Sequence, residues 1–242
     1  PLTGQGSCRA GHDRNQGAAE WGLQGMSDLT KRLPEAPMNT IYLEDLLAEG
    51  DFFEAANGLS RRVRDTHDFP PLHQVAAVVP DVELAAADLE QCGIGPFFVM
   101  AGTAAYWQER GQLRKCRLKL GTARYEGIEI ELLEPVHGSG IHEDALDLGG
   151  KPVVRSLGFL VRDVDAWAQK LEASGTPLWV RATVKGAGLT ADLAYMAKNK
   201  DDGLSMEFIC TKLMGIPLTL PGGMVHAIGR IQKATGKRCL KV

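Results

Sequence analysis

The chain has 242 residues, of which 44% are hydrophobic and 24% charged, with a formal net charge of −3. That length buries a substantial core in one large domain or two fused modules, and the near-balanced charge gives no electrostatic basis for binding nucleic acid or a membrane surface. No apolar run of about 18 residues occurs, so no transmembrane helix is expected; five scattered cysteines without a CxxC pair suit reduced thiols in a cytoplasmic protein.

Residues 1–38, rich in Gly, Arg, Asn and Gln and without apolar periodicity, read as a flexible leader, with Met26 and Met38 as candidate starts. Residues 39–70 read as a helical arm, because Leu43, Leu46, Leu47, Phe52, Phe53, Ala56, Leu59 and Val63 recur at helical spacing. A first module spans 71–136. His73 to Val79 has strand composition and Pro80 ends it. Asp81 is placed to cap a helix carrying Val82, Ala85, Ala86 and Leu89, closed by Gly93. Strands are expected around 97–101, 113–120 and 128–134. Residues 137–152, with Gly138, Gly140, Gly149, Gly150 and Pro152, read as a linker. A second module over 153–212 repeats the order: a strand from Val154 to Val161, a helix capped by Asp163 and ended by Gly175, and strands near 177–184, 190–197 and 204–210. The extension 213–242 holds a short helix over 222–236 and a basic, solvated end.

The two modules repeat each other in sequence as well as in element order. Asp81 to Gly93 aligns with Asp163 to Gly175, and Gly127 to Leu133 aligns with Gly203 to Ile209. Strand side chains alternate between faces. Val75, Ala77 and Val79, with Leu157, Phe159 and Val161, form the helix-facing sets of the first strands. Ile128, Ile130 and Leu132, with Leu204, Met206 and Phe208, do so in the last. Gln74, Glu131, Ser156 and Glu207 therefore project from the uncovered face. If the two sheets join side by side and curl, these four converge on one concavity. Two carboxylates in a partly desolvated cup need a cation or a shared proton to offset their repulsion. A divalent metal with hard oxygen ligands is one such solution. Strand glutamates on a solvent-washed face are the plainer alternative.

The segments Leu72-His73-Gln74-Val75-Ala76, Gly93-Ile94-Gly95-Pro96-Phe97, Ile130-Glu131-Leu132-Leu133-Glu134-Pro135 and Leu157-Gly158-Phe159-Leu160-Val161-Arg162-Asp163 resemble, in this order and spacing, the vicinal oxygen chelate superfamily. That group includes glyoxalase I, methylmalonyl-CoA epimerase, extradiol dioxygenases and bleomycin-resistance proteins. The resemblance covers about residues 72–212 and implies an α+β fold: two tandem βαβββ modules forming a curved mixed sheet around a central cup, here with an N-terminal helical extension. It implies metal ligands at Gln74, Glu131, position 156 and Glu207. Position 156 departs from the pattern, since a neutral serine is a poor ligand, which leaves three protein donors and water. The lack of histidine at 74 and 156 argues against Fe(II) oxygenase chemistry.

The resemblance further implies a glyoxalase-like, metal-assisted lyase or isomerase/epimerase that transfers a proton next to a carbonyl of a small molecule. A divalent metal on Gln74, Glu131 and Glu207 would polarise the substrate oxygen. Glu207 is the favoured proton shuttle, Glu131 the second catalytic candidate, and Ser156 orients substrate or water. Without metal, the two carboxyl groups would share the work, one of them protonated. The alternative is a non-catalytic small-molecule binding or sequestering protein on the same scaffold, its cup lined by Phe97, Phe98, Trp107, Trp179 and Tyr195. A homodimer is implied, with the helical arm as a candidate contact, and no nucleic-acid or membrane partner. His73 falls by alternation on the helix side. Arg155 is read as pointing outward. His137 and His142 reach the cup only if the linker folds over it. His12, His67 and His226 carry no pattern, and the cations Lys115, Arg117 and Lys119 read as a solvated strand face.

Overall fold

The computed structural model describes residues 40–63, 68–147, 149–186, 188–197, 203–218, 222–236 and 239–241. The leader, with Cys8, His12 and the two candidate start methionines, lies outside the described residues, as does His67.

The arm forms two helices. α1 (Leu43–Ala48) stops where Gly50 takes φ +81°, a left-handed turn that glycine adopts without steric cost. Asp51 then accepts a hydrogen bond from Glu54 N (3.0 Å) and opens α2 (Phe52–Val63). Phe52, Ala56 and Leu59 occupy one face of α2 and are buried in the main core, together with Leu43 and Leu46 of α1.

Each module starts with strand, capped helix and glycine stop. β1 (Leu72–Val78) leads to α3 (Val82–Gln91), and Asp81 accepts from Leu84 N. In the second module β7 (Val153–Leu160) leads to α5 (Val164–Ala173), and Asp163 accepts from Ala166 N. The two caps share an extended backbone, φ/ψ −146°/108° and −137°/103°. Gly93 and Gly175 close the helices at φ +83° and +87°. The duplicated sequence therefore specifies duplicated local structure down to the capping hydrogen bond.

The first module continues with β2 (Phe98–Thr103), β3 (Tyr106–Glu109), β4 (Gln112–Leu113), β5 (Arg117–Tyr125) and β6 (Ile128–His137). After β6 comes a short helix, α4 (Gly140–Glu143). The second module continues with β8 (Leu178–Gly186), β9 (Leu189–Met196) and β10 (Ser205–Leu213). It is followed by β11 (Ile216–Pro217), α6 (Gly222–Thr235) and β12 (Leu240–Lys241). All strands join one curled mixed sheet in the order β12-β2-β5-β6-β1-β7-β10-β9-β8-β3-β4, with β11 on β10. β1 and β7 pair antiparallel at the centre, flanked in parallel by β6 and β10 respectively.

Two features depart from the sequence reading. The hairpin β3–β4 leaves the first module to pair with β8 of the second, at the far side of the sheet. The C-terminal end is not merely solvated: Leu240 and Lys241 pair with Met100 and Ala101 of β2. Ahead of them, the Gln232 amide of α6 donates to Val99 O and accepts from Val99 N, both at 2.8 Å. Gln232 thereby satisfies, as a strand would, two backbone groups of β2.

The core divides into two layers. The helix-covered side of the sheet holds the expected Val75, Ala77, Val79, Ile128, Ile130, Leu132, Leu157, Phe159, Leu204, Met206 and Phe208. Phe159, Phe208, Trp167 and Phe69 meet there with ring centroids 5.2–5.9 Å apart. Inside the curl a second cluster forms around Trp107, Leu133, Ile141, Trp179, Val180 and Tyr195. Phe97 belongs to the helix-covered layer, not to the cup, whereas Trp107, Trp179 and Tyr195 do line the curl. Among the described residues, no helix is long and apolar enough to cross a membrane.

Candidate functional site

The inner face is shaped by two β-bulges that the sequence pattern conceals. β1 pairs Leu72 with Phe159 and then Gln74 with Gly158, so His73 is an extra residue. β7 pairs Ser156 with Ala76 and then Val154 with Ala77, so Arg155 is extra. Leu72 and Val75 are therefore both in the helix-covered core, as are Val154 and Leu157, three residues apart in each strand. The intervening pairs, His73–Gln74 and Arg155–Ser156, leave together on the cup side. This corrects two expectations: His73 stands beside the cup-facing Glu129, with Nε2 3.9 Å from Oε2, and Arg155 is buried instead of pointing outward.

Gly158 gives the floor its depth. A Cβ there would come within 2.8 Å of Gln74 Cβ and 3.0 Å of Ile209 Cδ1. With only hydrogen at that point, the Gln74 side chain lies over β7 and donates from Nε2 to Glu131 Oε2 at 2.8 Å. On the other side of the pseudo-twofold axis, Ser156 Oγ donates to Glu207 Oε2 at 3.1 Å. The Tyr195 hydroxyl also hydrogen-bonds Glu207. Gln74, Ser156 and Glu207 are almost wholly buried, while Glu131 keeps some solvent contact.

Electrostatics ties the two glutamates to one another. Burial, then the charges of Glu207 and Glu129, hold Glu131 well above the usual carboxylate range against the opposing Gln74 hydrogen bond. Burial likewise lifts Glu207 to about 7, against the stabilising hydrogen bonds from Tyr195 and Ser156. The pair therefore titrates as a unit that retains a proton near neutrality. Burial and the neighbouring carboxylates keep the Tyr195 phenol protonated, so it donates. Glu129 extends the acidic row: burial takes it up to about 7, although Arg124 pulls the other way. Burial and Arg124 lower His73 to about 4, so its imidazole is neutral beside Glu129.

The linker closes over this face. Gly138 (φ +79°) passes so near the chain at Lys115 that a Cβ would stand 2.0 Å from its carbonyl oxygen. Gly140 N then donates to Glu109 Oε2 at 3.1 Å, and Glu109, itself 2% exposed, also accepts from Trp107 Nε1. Arg155 donates through Nε to Ile141 O (3.3 Å) and through Nη1 to Gly203 O (2.7 Å), with its guanidinium 5.7 Å from the Trp179 ring. These contacts hold α4 inside the curl, with Ser139, Ile141 and His142 all buried. His142 meets Tyr195 with ring centroids 5.4 Å apart and Trp107 at 6.0 Å.

His142 and Glu109 belong to this site, and no spacing rule singled them out. The signal available was the Gly138-Ser139-Gly140 run, which permits the close chain approach that folds the linker inward. His137, in contrast, is exposed at the end of β6, and His226 is exposed on α6. Lys119 of the basic strand pairs with Glu134 (3.0 Å) and Glu83 (3.5 Å).

The donors suit a hard divalent cation in kind. Two mutually repelling carboxylates meet there, and turning the Gln74 amide presents its oxygen to an ion. Among the described residues, no three His, Cys, Asp or Glu side chains lie close enough to hold a metal ion. A cation would thus rest on Glu131, Glu207, the Gln74 oxygen and water, with Ser156 occupied by Glu207.

Solved structures similar to this chain include methylmalonyl-CoA epimerase from Streptomyces coelicolor in complex with 2-nitronate-propionyl-CoA, at 14% identity. That match covers 59% of this chain and 97% of the epimerase, with a TM-score of 0.40. Methylmalonyl-CoA epimerase from Mycobacterium tuberculosis matches at 18% identity over 61% of this chain and 93% of its own, TM-score 0.40. A mutant 4-hydroxymandelate synthase from Streptomyces coelicolor matches at 14% over 70% and 57%, TM-score 0.40. At such scores these likenesses add no weight of their own. No curated protein sequence matches the chain. A family model, however, matches residues 73–195, just over half of the chain, from the first cup-facing strand to the tyrosine that hydrogen-bonds Glu207. With paired modules, a curled sheet and that match in agreement, the chain belongs to the Glyoxalase/Bleomycin resistance protein/Dioxygenase superfamily.

Proposed function

We propose that this protein is a lyase or isomerase that moves a proton at the carbon next to a carbonyl of a small molecule. The observation that carries this reading is the pair of pseudo-equivalent glutamates meeting across the cup. Glu207, at about 7, is poised both to accept and to return a proton at physiological pH. Glu131, held protonated by burial and by its neighbours' charges, supplies an O–H to the developing enolate oxygen. Gln74 fixes the orientation of Glu131, and Ser156 with Tyr195 fixes that of Glu207. A divalent cation on Glu131, Glu207 and the Gln74 oxygen would add Lewis-acid polarisation of the carbonyl and would deprotonate the pair.

The second reading, a non-catalytic binding protein, draws on Ser156 where a stronger ligand would complete a metal site, and on the aromatic cluster of Trp107, Trp179 and Tyr195. One experiment separates the two. Proton–deuterium exchange at the carbon beside the carbonyl is followed by NMR in D2O for a panel of 2-oxo acids, acyl thioesters and hemithioacetals. Metal content is measured in parallel on protein purified without chelator. Catalysed exchange that disappears in both Glu207→Gln and Glu131→Gln supports the enzyme. Binding of panel members without exchange, with or without added metal, supports the binder and refutes the enzyme.

A further inference from the structure

His142 leaves one polar atom unaccounted for. Its side chain is 1% exposed, and its Nδ1 lies 2.6 Å from Ser139 Oγ. Its Nε2, together with Ser60 Oγ, is a buried side-chain atom without a hydrogen-bond partner among the described residues. Buried polar atoms are rarely left in this state, because the lost hydration is not replaced.

Ser139 joins His142 to a second buried group, and this arrangement admits two tautomers. Cys116 is wholly buried, and burial followed by the charges of Glu109 and Glu143 pushes its thiol up to about 12, so it keeps its proton. Ser139 interacts with that thiol as well as with His142. If the thiol donates to the hydroxyl, the hydroxyl's own hydrogen faces Nδ1 and Nε2 carries hydrogen; if the hydroxyl donates to sulfur, Nδ1–H donates to Ser139 and Nε2 is a bare acceptor. We take the first of these tautomers. Burial and Arg155 lower His142 to about 3, so the imidazole remains neutral throughout the working pH range. In that tautomer a neutral N–H donor, without an acceptor among the described residues, stands against the tyrosine that hydrogen-bonds Glu207.

We propose that His142, delivered by the inter-module linker, is a substrate-binding residue whose Nε2–H hydrogen-bonds a carbonyl or enolate oxygen of the bound molecule. The inference rests on the proton-transfer reading of the cup and adds the oxygen contact which that reading leaves open. Ser139 holds Nδ1, and α4 sets the ring against Tyr195. α4 is held through Gly140 N to Glu109 and through Ile141 O to Arg155, which fixes where the ring sits. The competing assignment is an N–H···π contact onto Tyr195, a weak interaction that serves packing alone.

The test uses the full-length protein with histidines labelled by 15N, and acetohydroxamic acid as a neutral carbonyl and enediol mimic, with EDTA present. The expected result is an Nε2–H tautomer for His142 whose resonance shifts saturably on titration. Affinity should fall at least tenfold in His142→Phe and recover in part in His142→Gln, which restores an N–H. His142→Phe also takes the Nδ1 partner from the buried Ser139 hydroxyl, so it should melt somewhat lower than the wild type on either assignment; affinity discriminates, since a packing role predicts it unchanged. Equal affinity in wild type and His142→Phe, with loss in Glu131→Gln, overturns this inference and leaves the glutamate pair standing. Absence of binding by the wild type overturns both. If His142→Phe fails to fold, the wild-type resonance decides: one that does not move while probe binds elsewhere refutes the assignment.

Discussion

Replacing Glu207 by glutamine should change how stability depends on pH in a direction that isolates this carboxyl group. Its pKa rises from an ordinary 4.5 to about 7 in the folded protein. A carboxyl with a raised folded-state value contributes stability that is complete below 4.5 and is lost as pH climbs through 7. At 1.36 kcal/mol per pH unit, that gap corresponds to about 3 kcal/mol. Glutamine cannot ionise, so Glu207→Gln escapes this loss. It carries instead a pH-independent penalty of about 1–3 kcal/mol for the mismatch with Ser156 and Tyr195. Neutralising position 207 also removes one of the charges that raise Glu131, which enlarges the variant's relative gain at high pH.

The neutral histidines act oppositely. His73 and His142, lowered to about 4 and about 3, contribute stability above 6.5 that is lost as pH falls, but they do so equally in both proteins. The difference between the two curves therefore reports the carboxyl pair. Urea unfolding at pH 4.5, 6, 7 and 8 should show the wild type losing about 3 kcal/mol relative to Glu207→Gln across that range. For an m-value of about 2–3 kcal/mol/M, the relative midpoint moves by about 1 M or more. Parallel curves, with a constant offset at every pH, would refute the claim that Glu207 is buried against a second carboxyl group. The same variant should lose proton exchange by about 10²–10⁴-fold if Glu207 is the shuttle.

Gly158→Ala sets a methyl group 2.8 Å from Gln74 Cβ, so Gln74 must leave Glu131. We expect a cost of about 1–3 kcal/mol in thermal or urea unfolding, together with a loss of exchange activity; unaltered activity would show that the Gln74–Glu131 hydrogen bond is dispensable. Gln232→Ala strips both hydrogen bonds from Val99 of β2. About 1–3 kcal/mol of stability should go, with faster amide exchange at Val99 as the local reading and unchanged exchange there as the contrary result.

The sequence was most legible where the two modules agree. Asp81 and Asp163 cap, Gly93 and Gly175 stop, and the apolar alternation assigns Val75, Ile130, Leu157 and Phe208 to the helix-covered layer, because these are local rules of period and backbone freedom. Gln74, Glu131, Ser156 and Glu207 share the opposite face for the same reason. Alternation misplaced His73 and Arg155 because a bulge is a property of the pairing between strands and leaves no trace in either strand's own period. The β3–β4 hairpin was missed likewise: β3's partner, β8, lies some seventy residues away, and nothing in Tyr106–Leu113 names it. His142 needed the whole linker path. Glycines that read as mere breaks are there to let one stretch of chain touch another.

The two flanks of the sheet are finished by unrelated pieces. A hairpin lent by the first module lies along β8, and the C-terminal helix with its last paired residues lies along β2. Long, bare margins are the surfaces on which one chain recruits the backbone of another. Here β3 covers β8 from Val180 to Thr183, with the two-residue β4 outermost, and β2 is occupied by the chain's own tail. Trimming that tail would convert a self-terminated ribbon into an open template, so solubility on concentration should depend on the last twenty residues.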